Sequence, residues 1–285
     1  MPSLLMASST QKEVIRLTIL HTNDMHSHID PFPLNDPKYP GLGGIEKRAA
    51  LIRNVRATEE NVLLLDAGDV FQGTPYFNLF GGELEFKLMS KMGYDACTIG
   101  NHDLDNGLEG LKRMMPHANF PFINCNYDFS NTILDGLTIP HKIFNKSGMK
   151  IGVFGIGVEL TGLVDKKNYG ETKYLDPIEI STQKAKFLKK EKGCHLVICL
   201  SHLGHNYKSG KVSDLILAKR TKNIDLIIGG HTHTFLDKPV EIRNKSRKKV
   251  LITQVGWAGI RLGRIDYEIH LKSYDNKASA MSYTI

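Results

Sequence analysis

Residues 225–236 read DLIIGGHTHTFL. An apolar run, Leu226-Ile227-Ile228, breaks at two glycines and is followed at once by His231 and His233, with one threonine between them. A continuous apolar run of this length reads as a strand buried on both faces. Glycine turns tightly at no steric cost, so both imidazoles leave the strand at its carboxyl end. This spacing would let the pair enter one small volume, and the rest of the chain bears on whether it does.

Four more runs have the same character: Arg16-Leu17-Thr18-Ile19-Leu20, Val62-Leu63-Leu64-Leu65, Ala96-Cys97-Thr98-Ile99 and Leu196-Val197-Ile198-Cys199-Leu200. Segments 44–58, 82–92, 108–115 and 178–192 between them carry the period of amphipathic helices. Strand and helix alternate, which predicts a layered α/β fold. Two regions depart from the alternation. Residues 141–158, HKIFNKSGMKIGVFGIGV, carry two strand-like runs around Asn145-Lys146-Ser147-Gly148, a hairpin signal. The tail from Lys248 reads as further strands with a glycine-rich bend, so a second sheet or an antiparallel extension is required. With no repeat, low-complexity tract or Pro/Ser-rich linker, residues 16–285 form one expected domain behind a flexible segment 1–15.

Each of the five apolar runs is followed within a few residues by a potential metal ligand. Asp24 and His26 follow the first, Asp69 the second, Asn101 with His102 and Asp105 the third, His202 the fourth, and His231 and His233 the fifth. Ligands of open α/β sheets bind beyond the carboxyl ends of the strands, where the loops converge. Taken singly, each of these residues is ordinary turn chemistry. Their recurrence at the same end of five runs points to one site of oxygen and nitrogen donors. His21, His28, His117, His141 and His205 are read as surface or hydrogen-bonded residues outside it.

The order D-x-H, G-D, G-N-H-D, S-H and G-H-x-H resembles the calcineurin-like metallophosphoesterase superfamily. The strings ILHTNDMHSHI, LLLDAGDVFQGTP, MGYDACTIGNHDLDNG, FPFINCN, SHLGH and IIGGHTHTFL are similar to the N-terminal catalytic domain of the 5'-nucleotidase family. The resemblance runs from about Leu17 to the end of the chain. It implies a four-layer αββα sandwich of two mixed β-sheets flanked by helices. It also implies a first metal held by Asp24, His26 and His233, a second held by Asn101, His202 and His231, and Asp69 bridging them. The family's 5'-nucleotidases often carry Gln or Asn where His233 stands, so metal preference is open.

Two divalent ions so placed clamp a phosphoester and hold a hydroxide for in-line attack. Donors without thiolate suit Mn²⁺, Zn²⁺, Fe or Co²⁺. His102 and Asp105 read as a pair, the carboxylate favouring the charged imidazole and the imidazole protonating the leaving alkoxide. Asp103 between them reads as a cap of the following turn. Backbone N–H groups at Gly43-Gly44 and Gly100-Asn101 are further candidates to meet phosphate. Trp257 and Phe235 lie near the metal loops, and core packing is the expected fate of each.

Composition narrows the function classes. The 285 residues are 41% hydrophobic and 24% charged, as in a globular protein with a sizeable core. The net charge of +7 gathers in clusters such as 243–249, which lack the interleaved aromatics of a nucleic-acid groove. Four cysteines without C-x-x-C spacing read as free thiols. No segment has the apolar length of a membrane span. The start, MPSLLMASSTQKEV, resembles the tail of a secretory signal, which makes export to a periplasmic or extracellular space the expectation, with the cytoplasm as alternative. The expected function is a dinuclear phosphomonoesterase acting on nucleoside 5'-monophosphates or related small phosphoesters. The alternatives are a phosphodiesterase for 2',3'-cyclic nucleotides or other diesters, and a non-catalytic metal-binding subunit. No base-recognition feature is identifiable, so a separate polypeptide supplying a nucleobase-binding domain is the partner considered.

Overall fold

The computed structural model describes residues 14–271 and 276–285. Strands are β1 (Val14–Thr22), β2 (Val62–Asp66), β3 (Ala96–Cys97), β4 (Tyr127–Asp128), β5 (His141–Lys146), β6 (Met149–Gly157), β7 (Lys173–Tyr174), β8 (Leu196–His202), β9 (Leu226–Gly229), β10 (Val240–Arg243), β11 (Lys249–Thr253), β12 (Arg261–His270) and β13 (Asn276–Thr284). Helices are α1 (Ile45–Thr58), α2 (Pro75–Phe80), α3 (Glu83–Met92), α4 (Gly107–Met114), α5 (Lys166–Tyr169), α6 (Pro177–Lys186) and α7 (Asp214–Arg220). Of the segment read as flexible, residues 1–13 lie outside the described ones. Val14 and Ile15 already belong to β1, paired with His270 and Ile269.

One sheet runs β13-β12-β1-β2-β3 and a second runs β10-β11-β9-β8-β6-β5. Both are mixed. β1, β2 and β3 are mutually parallel, as are β6, β8, β9 and β11, while β12 and β5 pair antiparallel to their neighbours. The tail thus serves both sheets, β11 extending one and β12 and β13 the other.

The sheets pack face to face. Leu17, Ile19, Leu63 and Leu65 of the first meet Ile198, Leu200, Leu226 and Ile228 of the second in one buried cluster. The intervening residues point the other way. Leu20, Val62 and Leu64 pack with α1, α3 and α4, and Val197, Cys199 and Ile227 pack with α6 and α7. Side chains alternate across a strand, and here both faces are covered, which is why the runs are continuously apolar. The result is the four-layer αββα sandwich. Among the described residues, no helix is long and apolar enough to cross a membrane. All four cysteines are free, with Cys97, Cys194 and Cys199 buried and Cys125 half-buried.

Some boundaries differ from the sequence reading. The third strand is only two residues long, because Cys97 passes from β2 to the 121–123 segment and the Thr98 hydroxyl donates to the Ile123 carbonyl. The helix expected over 178–192 ends at Lys186 and widens into a π-turn over Phe187–Glu191. The hairpin forms as expected, β5 and β6 joined by Ser147 and Gly148 at φ 50° and 86°, both positive as a type I′ turn needs.

Candidate metal centre

The carboxyl ends of β1, β2, β3, β8 and β9 bring the donors together. Asp24, His26 and His233 form one group, and Asp69, His202 and His231 a second, with the ligand atoms of each within 4.8 Å of one another. The groups adjoin: His26 Nε2 is 3.9 Å from Asp69 Oδ2, and His202 Nε2 is 3.9 Å from Asp24 Oδ1. His231 and His233 therefore divide between two neighbouring groups. Asn101 is buried between Gly100 and His102, and its Oδ1 has no hydrogen-bond partner.

This convergence demands unusual backbone. Asp24, His26, Asp69, His231 and His233 all have positive φ, between 47° and 74°. Each such conformation costs about 1–3 kcal/mol and persists only where its surroundings hold it. Those surroundings are explicit. The Asp24 N–H donates to the Gly68 carbonyl (2.9 Å) and the His26 N–H to the Asp69 carbonyl (3.1 Å). The His231 N–H donates to both Asp24 carboxylate oxygens (2.9 and 3.0 Å). Gly100 is required by proximity, since a Cβ there would overlap Asp69 Oδ1.

Asp103 caps no turn. Its buried carboxylate accepts the N–H groups of Asp69 (3.1 Å), Val70 (2.9 Å), Phe71 (3.2 Å) and Gly100 (2.8 Å), fastening the loop after β2 to the loop after β3. The Gly100 N–H is thereby engaged and does not meet phosphate. The Gly43 N–H is likewise engaged, donating to the Ile285 carbonyl.

The imidazoles are aimed by what lies behind them. His26 Nδ1 is 3.1 Å from both the Phe71 and Gln72 carbonyls, and His202 Nδ1 is 2.7 Å from the Ala67 carbonyl. These contacts keep Nδ1 protonated and turn each Nε2 towards the site, where His202 must give up its second proton before it can bind a metal. His202 Nε2 and Asp69 Oδ2 are 2.9 Å apart, yet Nε2 has no aligned hydrogen bond. That is the geometry of two donors converging on a third atom.

Burial lowers His231 to about 3 and His233 to about 4, keeping both neutral as metal ligation requires. Burial alone would also lower His202, but the carboxylates of Asp69 and Asp24 outweigh it and hold the ring up at about 10. Burial pushes Asp24 up to about 8, with neighbouring His202 opposing. In Asp69 the same burial is outweighed by the charge of His202, His26 and His102, and the carboxyl lies below its usual range. Asp69, ionised, thus draws positive charge into that space, while burial favours the neutral form of Asp24, which gives up its proton as a cation enters. The donor set fits divalent cations.

His102 opens a 3-10 turn, and its Nδ1 is 2.9 Å from Asp105 Oδ2. That hydrogen bond is the main cause raising the His102 imidazole above its ordinary value. The His102 N–H donates to Asp69 Oδ1 (2.7 Å), and the ring stands edge-on to His26 with centroids 5.2 Å apart. Sequence reasoning missed Asn168, whose side-chain amide donates to the Asp105 carbonyl (2.8 Å) from 63 positions away. No local pattern could have flagged it. His21, His28, His117, His141 and His205 belong to neither donor group. Trp257 and Phe235 are half-buried, not sealed in the core as expected.

The family model described as calcineurin-like phosphoesterase matches residues 17–235. The chain is similar to the snake venom 5'-nucleotidase of Gloydius brevicauda, 38% identical over 228 residues, covering 77% of this chain and 37% of that protein. It is also similar to the trifunctional nucleotide phosphoesterase protein YfkN of Bacillus subtilis, 33% identical over 282 residues, covering 88% of this chain and 18% of that one. Among solved structures, the 5'-nucleotidase precursor from Thermus thermophilus superposes with a TM-score of 0.84 at 32% identity, covering 95% of this chain and 55% of that one. The chain therefore spans well under half the length of these two curated relatives.

Proposed function

The chain belongs to the calcineurin-like phosphoesterase family, and from that premise we propose that it is a dinuclear phosphomonoesterase of nucleoside 5'-monophosphates or related small phosphoesters. The observation that carries the reading is the pair of adjoining donor groups with the His102–Asp105 pair at their edge. Asp24, His26 and His233 would hold one divalent ion, Asn101, His202 and His231 the other, and Asp69 would lie between both. Bound ions of this kind polarise the phosphoryl oxygens and activate water as nucleophile. The rest falls to the chain's own side chains. The Nδ1 contacts of His26 and His202 keep their Nε2 atoms aimed, and Asp103 holds Asp69 and Asn101 in register. Asp105 orients His102 and favours its charged form, and His102 passes its proton to the leaving alkoxide.

Neutral imidazole and amide ligands leave the centre cationic, suited to a phosphate dianion. The set accommodates Mn²⁺, Zn²⁺, Fe or Co²⁺. Export belongs to the same reading and is supported by the venom relative; fractionation of expressing cells tests it. For the activity, the chain is stripped, reloaded with each metal, and assayed on adenosine 5'-monophosphate, ribose 5-phosphate, 2',3'-cyclic adenosine monophosphate and bis(p-nitrophenyl) phosphate. Monoester turnover above diester turnover is expected. The reverse order would favour the phosphodiesterase reading, and two bound ions without turnover of any ester would favour a non-catalytic subunit.

A further inference from the structure

The pair proposed to move the proton is open to solvent. The side chains of His102 and Asp105 are 38% and 30% exposed, whereas Asp24, Asp69 and His202 are sealed. Packing alone does not fix the pair, so hydrogen bonds must. Within the 3-10 turn the Asp105 N–H donates to the His102 carbonyl (3.1 Å). The carbonyl of Asp105 itself falls outside the next helix, because the first bond of α4 runs from the Gly110 N–H to the Asn106 carbonyl (3.2 Å). The side-chain amide of Asn168 meets that leftover carbonyl at 2.8 Å.

Asn168 is itself firmly placed. It lies on α5, in the segment that leaves β6 of the second sheet, while the His102–Asp105 turn leaves β3 of the first. Asp165 caps α5, its carboxylate accepting the Lys167 N–H (3.2 Å) and its carbonyl the Asn168 N–H (2.8 Å). Leu160 and Val164, just before this cap, are buried in the same cluster as Leu104 and Leu111, and Tyr169 and Leu108 pack against it. A carbonyl offers no donor, so the amide nitrogen is the atom that faces Asp105. The contact thus ties the turn after β3 to a loop of the opposite sheet.

We infer that Asn168 is a positioning residue for proton transfer, holding the Asp105–His102 pair in line from the opposite sheet. The inference rests on the proton-donor role proposed for His102. Engaging the Asp105 carbonyl fixes the peptide plane that follows, and so the direction in which the Asp105 side chain leaves the turn. That side chain brings Oδ2 to 2.9 Å from His102 Nδ1. With Nδ1 engaged, Nε2 is the ring nitrogen left for the ester. As the phosphorus–oxygen bond breaks, the leaving oxygen takes the Nε2 proton and departs as an alcohol, while the ring, now neutral, keeps its Nδ1 proton against Asp105. Asn168 acts only through this turn, so its effect is confined to esters whose leaving group needs that proton.

Asn168→Ala removes the amide, and Asn168→Asp keeps its shape without the donor. Metal-loaded protein is assayed on adenosine 5'-monophosphate, whose ribose alkoxide must be protonated, and on p-nitrophenyl phosphate, whose phenolate departs without a proton. Both variants are expected to lower kcat on the nucleotide about tenfold, the order of one lost hydrogen bond, with KM little changed and turnover of the p-nitrophenyl ester within about twofold of wild type. Equal losses on both esters would overturn the inference by showing a merely structural role. Undiminished nucleotide turnover would overturn it by showing no role. A second readout needs no turnover. In zinc-loaded protein the His102 Nδ1 proton, held on Asp105, is followed by NMR at low field. Both variants should shift or broaden it, and should leave in place the His202 Nδ1 proton, bonded to the Ala67 carbonyl, which reports that the centre is folded. An unmoved His102 signal sinks the inference. If the wild type hydrolyses neither ester, the phosphomonoesterase reading fails, while this signal still judges Asn168.

Discussion

His102 makes two contacts with separable consequences, its ring to Asp105 and its N–H to Asp69. In the proposed chemistry only the ring contact serves proton transfer, so His102→Ala is expected to retain both metals and lose about 10²–10⁴ in rate, the scale of a positioned proton donor. Near-native turnover would remove the role. Asp105→Asn deletes the largest cause that raises the imidazole. The pKa of His102 then falls, the protonated fraction at any given pH falls with it, and the alkaline limb of the pH–rate profile moves to lower pH. An unmoved limb would show that His102 is not the group titrating there. If Asp69 is shared by both ions, as proposed, Asp69→Asn weakens both, and elemental analysis should find them depleted together; loss of one alone would deny the bridge.

At the scale of elements, the loops after β2 and β3 depend on a single carboxylate. Asp103→Ala leaves the N–H groups of Asp69, Val70, Phe71 and Gly100 without their acceptor. A hydrogen bond to a charged group contributes about 1.5–3 kcal/mol. Water entering the gap recovers part of four such losses, so the expected cost is about 3 kcal/mol in urea unfolding, accompanied by loss of metal. A variant of unchanged stability would show that the loops hold themselves. The strain at Asp69 makes that outcome unfavourable, since its φ of 56° lies outside the range an aspartate adopts freely.

Across the whole molecule, the centre is a seam between the two sheets. Asp24, His26, Asp69 and Asn101 issue from the first, and His202, His231 and His233 from the second. Ions held across this seam bind the folded chain and not the unfolded one, so they stabilise it by mass action. At a hundredfold excess over Kd the gain is about 2.7 kcal/mol for each ion, or a rise in Tm of roughly 5 °C per ion for a chain this size. Differential scanning calorimetry with and without a chelator checks this. A Tm indifferent to metal would mean that the donors bind no ion across the sheets.

The amino-acid sequence by itself determined the strands and the donors at their ends. Both are local: a run such as Leu226-Ile227-Ile228 must be buried wherever it lies, and Gly229-Gly230-His231 turns the chain within a few residues. The sequence also showed His102 and Asp105 as a pair, because three positions on one turn bring their side chains together. Tertiary structure alone decided which tail strand joined which sheet, and placed His231 and His233 in adjoining groups, as the family resemblance implied. It alone revealed that Asp103 faces a loop more than thirty positions away and that Tyr39, Phe235 and Trp257 meet. Contacts of such separation leave no period in the chain. They follow from the packing of two sheets, which the pattern of apolar residues demands but does not orient.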